Sequence, residues 1–140
     1  MKNLAVILSC LFVVSNTSAA FICDNLPATG LDSAVVEKFR TELIAALKEG
    51  SARKVASMVS YPITVTIPGK RKPKKLLNVA QMEISYDKIF TADFVAKIVT
   101  APVTDTVCRD QGVGLASGAV WLHAPNLDKL SDVKLIAINR

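Results

Sequence analysis

Residues 112–123 read Gly-Val-Gly-Leu-Ala-Ser-Gly-Ala-Val-Trp-Leu-His. No proline or fixed charge interrupts this stretch, and branched, aliphatic and aromatic residues recur between small ones. The pattern predicts one long strand from Val113 to His123. Gly112, Gly114, Ala116, Gly118 and Ala119 leave it poor in side chain. Glycine within a strand marks a bulge, a bend or the close approach of another backbone. A strongly curved sheet wrapped around a helix needs such places. A period of two puts Leu115, Ser117, Ala119, Trp121 and His123 on one face, with Ala116, Val120 and Leu122 on the other.

Two more strands flank this one, at Val103–Cys108 and Val133–Asn139, separated by turn residues at Asp110-Gln111-Gly112 and Pro125-Asn126. Ahead of them the period is helical. Asp32 or Ser33 caps a helix whose stripe is Val36, Phe39, Leu43, Ala46 and Leu47, and Gly50 closes it. Ser51 opens a shorter helix with Val55, Met58 and Val59 on one face, which ends near Tyr61 because Pro62 follows. Ile63, Val65 and Ile67 alternate with Thr64 and Thr66 as a half-buried strand. Pro68-Gly69 breaks it, and Leu76-Leu77 begins its return. Asn78 with Gln81 resembles a capping box before the stripe Val79, Met82, Tyr86, Ile89 and Phe90. Thr91 caps a last helix carrying Phe94, Val95 and Ile98. Helices at the front and strands at the back predict an α+β fold with an antiparallel sheet.

The chain has 140 residues, 51% of them hydrophobic and 21% charged. That composition excludes intrinsic disorder, and the length suits one domain. Met1-Lys2-Asn3, the apolar run Leu4–Val14 and the small residues Ser15–Ala20 form the three parts of a secretory signal peptide, cut after Ala20. The run is too short for a spanning helix, which needs about 20 residues. The competing readings are a buried helix of the domain and a lipid anchor on Cys10. With cleavage, residues 21–140 form a single domain in the periplasm or outside the cell. Cys23 and Cys108 remain in it, and an oxidising compartment favours one disulfide between them. The alternative is two separate buried thiols.

His123 is the one histidine. Facing a cavity beside Asp87, Asp105 or Tyr86, it would serve as an acid or base. The competing reading is a half-solvated histidine at a strand end. Residues 112–118 have the wrong spacing for a phosphate loop, and Ser117 lies in no nucleophile elbow. Two cysteines and one distant histidine make no metal site, and no cofactor is implied. Trp121, Phe90, Phe94, Tyr86 and Met82 either line a ligand pocket or fill the core.

Lys70-Arg71-Lys72-Pro73-Lys74-Lys75 concentrates positive charge. Without Lys2 the chain carries 16 basic and 12 acidic side chains. Five of the 16 lie in these six residues, leaving 11 against 12 elsewhere. The basic excess is therefore a single hairpin tip. It attracts an acidic protein, phosphate or an anionic membrane surface, or else serves as a solvated loop that resists edge pairing. One tip without interleaved aromatics is a poor nucleic-acid footprint, so no nucleic-acid partner is expected.

The order of elements resembles the nuclear transport factor two-like superfamily, also called cystatin-like or polyketide-cyclase-like. The likeness rests on the paired helices with Phe39, Leu43 and Leu47, on Ala56, Val59 and Tyr61-Pro62, on Tyr86–Thr91, on Gly112–Leu122 and on Lys134–Asn139. It is nearest to small exported bacterial members without an assigned activity. The resemblance implies a cone: a curved antiparallel sheet around a long N-terminal helix, with a pocket at the open end. It also implies a homodimer through the open sheet face. Members include isomerases, dehydratases, cyclases and non-catalytic modules, so the fold does not select a function. The residues favour a binding module, of which a periplasmic inhibitor or immunity protein is one form. The alternative is an isomerase or hydrolase using His123 with an aspartate.

Overall fold

A computed structural model describes residues 23–140. The expected leader over residues 1–20, with Lys2 and Cys10, lies outside the described residues. Asp32 starts the first long helix, its Oδ1 accepting from the N–H of Ala34 at 2.7 Å. This helix, α1, spans Ser33–Lys48 and buries the stripe Val36, Phe39, Leu43, Ala46 and Leu47. Gly50, at φ +66°, turns the chain out of it. The Ser51 hydroxyl then accepts from the N–H of Lys54 and caps α2, Ala52–Ser57.

The structure ends α2 earlier than its apolar spacing predicts. Val59 opens strand β1 (Val59–Thr66) rather than closing the helix face. The N–H of Leu135 donates to the carbonyl of Met58 at 2.8 Å, so sheet pairing has already begun there. Ile63 and Val65 face the core and Thr64 and Thr66 face out. Strand β2 (Lys74–Leu76) returns antiparallel, with Ile63 opposite Leu76 and Val65 opposite Lys74. Helix α3 (Val79–Ile89) is capped by the Asn78 side chain, which accepts from the N–H of Gln81 at 3.0 Å. Gln81 reaches back to the N–H of Leu77, one residue before the cap, at 2.9 Å. Helix α4 (Ala92–Thr100) follows with Phe94 and Ile98 buried.

Pro102 leads into a single 3-10 turn at Val103–Asp105, and only Val107–Arg109 is strand (β3), a shorter piece than the sequence predicts. The predicted strand Val113–His123 is two. Strand β4 (Gly112–Leu115) and strand β5 (Val120–His123) form an antiparallel hairpin with Gly114 opposite Trp121 and Leu115 opposite Val120. Ala116, Ser117 and Gly118 have φ of 51°, 57° and 85° and make the turn. A left-handed backbone brings Cβ close to the following carbonyl oxygen, a steric cost that Ala116 and Ser117 bear and Gly118 does not. The turn is held by the N–H of Ser117 donating to the carbonyl of Asp105 at 2.7 Å.

Strand β6 (Lys134–Asn139) completes one sheet of order β2-β1-β6-β5-β4-β3. Strands β1 and β6 run parallel, so the sheet is mixed and not antiparallel throughout as expected. The other neighbours pair antiparallel. Parallel neighbours need a long crossover, and here it includes α3, α4 and the four strands β2 to β5. Inward residues of five strands join α1, α3 and α4 in one hydrophobic core that includes Leu43, Ile63, Met82, Ile89, Leu122 and Ile138. Cys23 and Cys108 are joined as a disulfide, their Cα atoms 5.8 Å apart, tying the 3-10 turn Leu26–Thr29 to the β3 edge.

Candidate functional site

The basic cluster is built by a loop between two paired strands. The N–H of Lys70 donates to the carbonyl of Ile67, and Gly69 has φ +76°, which reverses the chain. Lys70, Arg71, Lys72, Lys74 and Lys75 are all exposed. Among the described residues, none of the five is within 4.0 Å of a carboxylate. Four cations elsewhere are paired: Lys38 with Glu42, Arg40 with Glu37, Lys54 with Glu49 and Lys134 with Asp132. The Lys74 ammonium instead donates to the buried Ser85 hydroxyl at 2.9 Å, joining the base of the hairpin to α3.

Large apolar side chains are exposed between β2 and α3 and on α3 itself, of which Ile84 lines a cleft with Lys74. Ile84 is 82% exposed, Leu77 57% and Val79 42%. A cleft of about 280 Å³ lies between β2 and α3, lined by Lys74, Leu76, Gln81, Ile84 and Ser85. Sequence reasoning missed this apolar margin. One signal was available: Ile84 sits about 200° around the helix from Met82, well off the buried stripe.

The weaker catalytic candidates are not brought together. In β5, Val120 and Leu122 are buried while Trp121 and His123 are half-buried on the opposite face. The turn at 116–119 breaks the parity that the sequence reading carried across it, so Leu115 faces the core and Trp121 does not. His123 stands opposite Lys134 of β6, and its Nδ1 accepts from the N–H of Ala124 at 2.6 Å. Tyr86 belongs to the buried side of α3, and Asp87 is exposed on that helix. Asp105 lies in the 3-10 turn and uses its backbone carbonyl to hold Ser117.

Trp121 covers glycines on the outer face of the sheet, with the Arg109 guanidinium 5.9 Å from its ring centre. Tyr86, Phe90 and Phe94 form a buried row with ring centres 5.1 and 5.9 Å apart. Met82 is fully buried beside them in the same core. The Tyr86 hydroxyl is buried without a hydrogen-bond partner among the described residues. Burial, then the charge of Asp87, raises its pKa. Tyr61 donates to the carbonyl of Ala56 at 2.9 Å, and burial, then Glu83, pushes its pKa up to about 12.

A second cleft, of about 400 Å³, runs beside α1, with Val35, Phe39, Met58 and Val133 as its apolar surface. Its rim carries the Lys38–Glu42 and Lys134–Asp132 ion pairs at 3.7 and 3.5 Å. Among the described residues, no group of three or more His, Cys, Asp or Glu side chains is placed to hold a metal ion. Nor is any described helix long and apolar enough to cross a membrane.

Comparison with protein-family models, with curated proteins and with solved structures gives no match to this chain.

Proposed function

We propose that the protein is an exported, non-catalytic binding module that engages an anionic partner through the hairpin at residues 70–75. A periplasmic inhibitor or immunity protein is one form such a module takes. The observation that carries the reading is the set of five exposed cations free of carboxylate partners, against a balance of 11 basic and 12 acidic residues in the rest of the mature chain. Unpaired like charges on one tip repel one another and concentrate positive potential, and an anion relieves both effects. Export is supported by the tripartite pattern of residues 1–20 and is compatible with the Cys23–Cys108 disulfide.

The cone of the nuclear transport factor two-like superfamily is part of the same proposal. Two features support it. The stripe of α1 shares one core with the inward side of the sheet. Register shifts also interrupt β1–β6 and β5–β6, and such irregularities bend strands.

Retention of the mature chain on immobilised polyglutamate tests the reading. The wild type should be held at low salt and released as salt screens the charges. A variant carrying Lys70→Ser, Arg71→Ser, Lys72→Ser and Lys75→Ser keeps Lys74 on Ser85 and should pass through. A control with Lys48→Ser, Arg53→Ser, Lys97→Ser and Lys129→Ser removes the same charge elsewhere and should stay bound. Equal behaviour of the two variants overturns the reading.

A further inference from the structure

We propose that the anionic partner of the hairpin is a phospholipid bilayer surface, into which Ile84 and Leu77 insert while the hairpin cations contact the headgroups. This rests on the reading of residues 70–75 as an anion-binding element. Two chemistries meet at the base of the hairpin, where Lys74 and the exposed Ile84 line one cleft. Charge alone would suit any polyanion. A soluble anion leaves the apolar side chains without a role, and Ile84 at 82% and Leu77 at 57% are the more costly for standing in water. A bilayer answers both needs, because its anionic headgroups lie directly above aliphatic chain.

The two chemistries are held together by hydrogen bonds. Lys74 on Ser85 fixes the base of the hairpin to α3, and Gln81 accepting from the N–H of Leu77 fixes the chain between β2 and that helix. The cleft of about 280 Å³ between them has Leu76 and Ile84 as apolar walls and the polar groups of Lys74, Gln81 and Ser85 beside them. Lys88, one turn beyond Ile84, adds a further cation beside the acidic Asp87. Glu83 lies close enough to Tyr61 to act on its phenol, on another side of the helix.

The test is co-sedimentation of the mature chain with vesicles of phosphatidylcholine alone or mixed with phosphatidylglycerol, run beside the polyglutamate column. Binding to the mixed vesicles and not to the neutral ones is expected. The four-residue hairpin variant should lose at least about 100-fold in partitioning, since each basic side chain near such a surface is worth about fivefold. The double variant Leu77→Ser, Ile84→Ser should lose about 100-fold on vesicles while its retention on polyglutamate stays unchanged. A native-like circular dichroism spectrum and an unchanged urea midpoint show that the variant is folded. Hairpin-dependent retention on polyglutamate without binding to mixed vesicles overturns the bilayer and leaves the anion-binding reading standing. Loss of both overturns both. Vesicle binding unaffected by the double variant overturns the insertion.

Discussion

The indole of Trp121 covers Gly114, its direct partner across the β4–β5 ladder: a Cβ at position 114 would stand 3.1 Å from ring carbons Cε2 and Cζ2. The same Cβ would meet the Cα of Gly118 at 3.0 Å. The backbone here is bare because the ring occupies the space.

Gly114→Ala should therefore lift the indole from the hairpin. Overpacking of this kind costs about 1–3 kcal/mol. Trp121 is the one tryptophan of the chain, so its fluorescence reports the site alone. A lower urea midpoint and a red-shifted emission in the folded state are expected. An unchanged spectrum with unchanged stability would contradict the contact.

The disulfide closes a sequence separation of 85 residues. Removing a native bridge from a small disulfide-bonded domain costs roughly 2–5 kcal/mol. The double variant Cys23→Ser, Cys108→Ser should unfold at correspondingly lower urea, and reductant should shift the wild type and not the variant. Thiol titration of residues 21–140, unfolded and unreduced, should find no free sulfhydryl.

Both tyrosines of the chain titrate late. Tyr61 is pushed up to about 12 and Tyr86 is raised above its ordinary value of 10.0. A folded pKa above the unfolded one means that the unfolded chain releases its proton first. The stabilisation is complete below about pH 10 and is lost as pH rises toward about 12. Tyrosinate absorbance should begin near pH 10 in denaturant and distinctly later in the native protein. Melting temperature should fall across that interval, with a shallower fall in Tyr61→Phe. Coincident native and denatured titrations would count against these burials.

The parts of the fold legible in the sequence were those with local causes. Asp32, Ser51 and Asn78 each accept the hydrogen bond that their position before a helical stripe suggests. Thr91 precedes α4 but makes no side-chain cap bond, so position alone was not sufficient there. The hairpin at 116–119 was hidden because its residues are as small and apolar as those of the strands beside it. Its reversal depends on backbone angles at Ala116 and Ser117 that side-chain pattern does not encode. Five positions from Leu115 to Val120 is an odd step, which put Trp121 and His123 opposite the face assigned to them with Leu115. The parallel pairing of β1 with β6 was equally hidden, since alternation tells which face is buried and not which strand lies alongside. For the candidate site, the hairpin cations were plain in composition. Their apolar margin was signalled only by Ile84 standing off the buried stripe of α3; that Lys74 and Ile84 line one cleft depends on packing the pattern does not encode.

The position of β6 has a consequence for biogenesis. It joins two half-sheets, β2-β1 on one side and β5-β4-β3 on the other, which do not pair with each other. As the ribosome makes the chain in order, both halves wait without their common neighbour until residues 134–139 have been added. Closure of the sheet therefore waits for the last strand to be made.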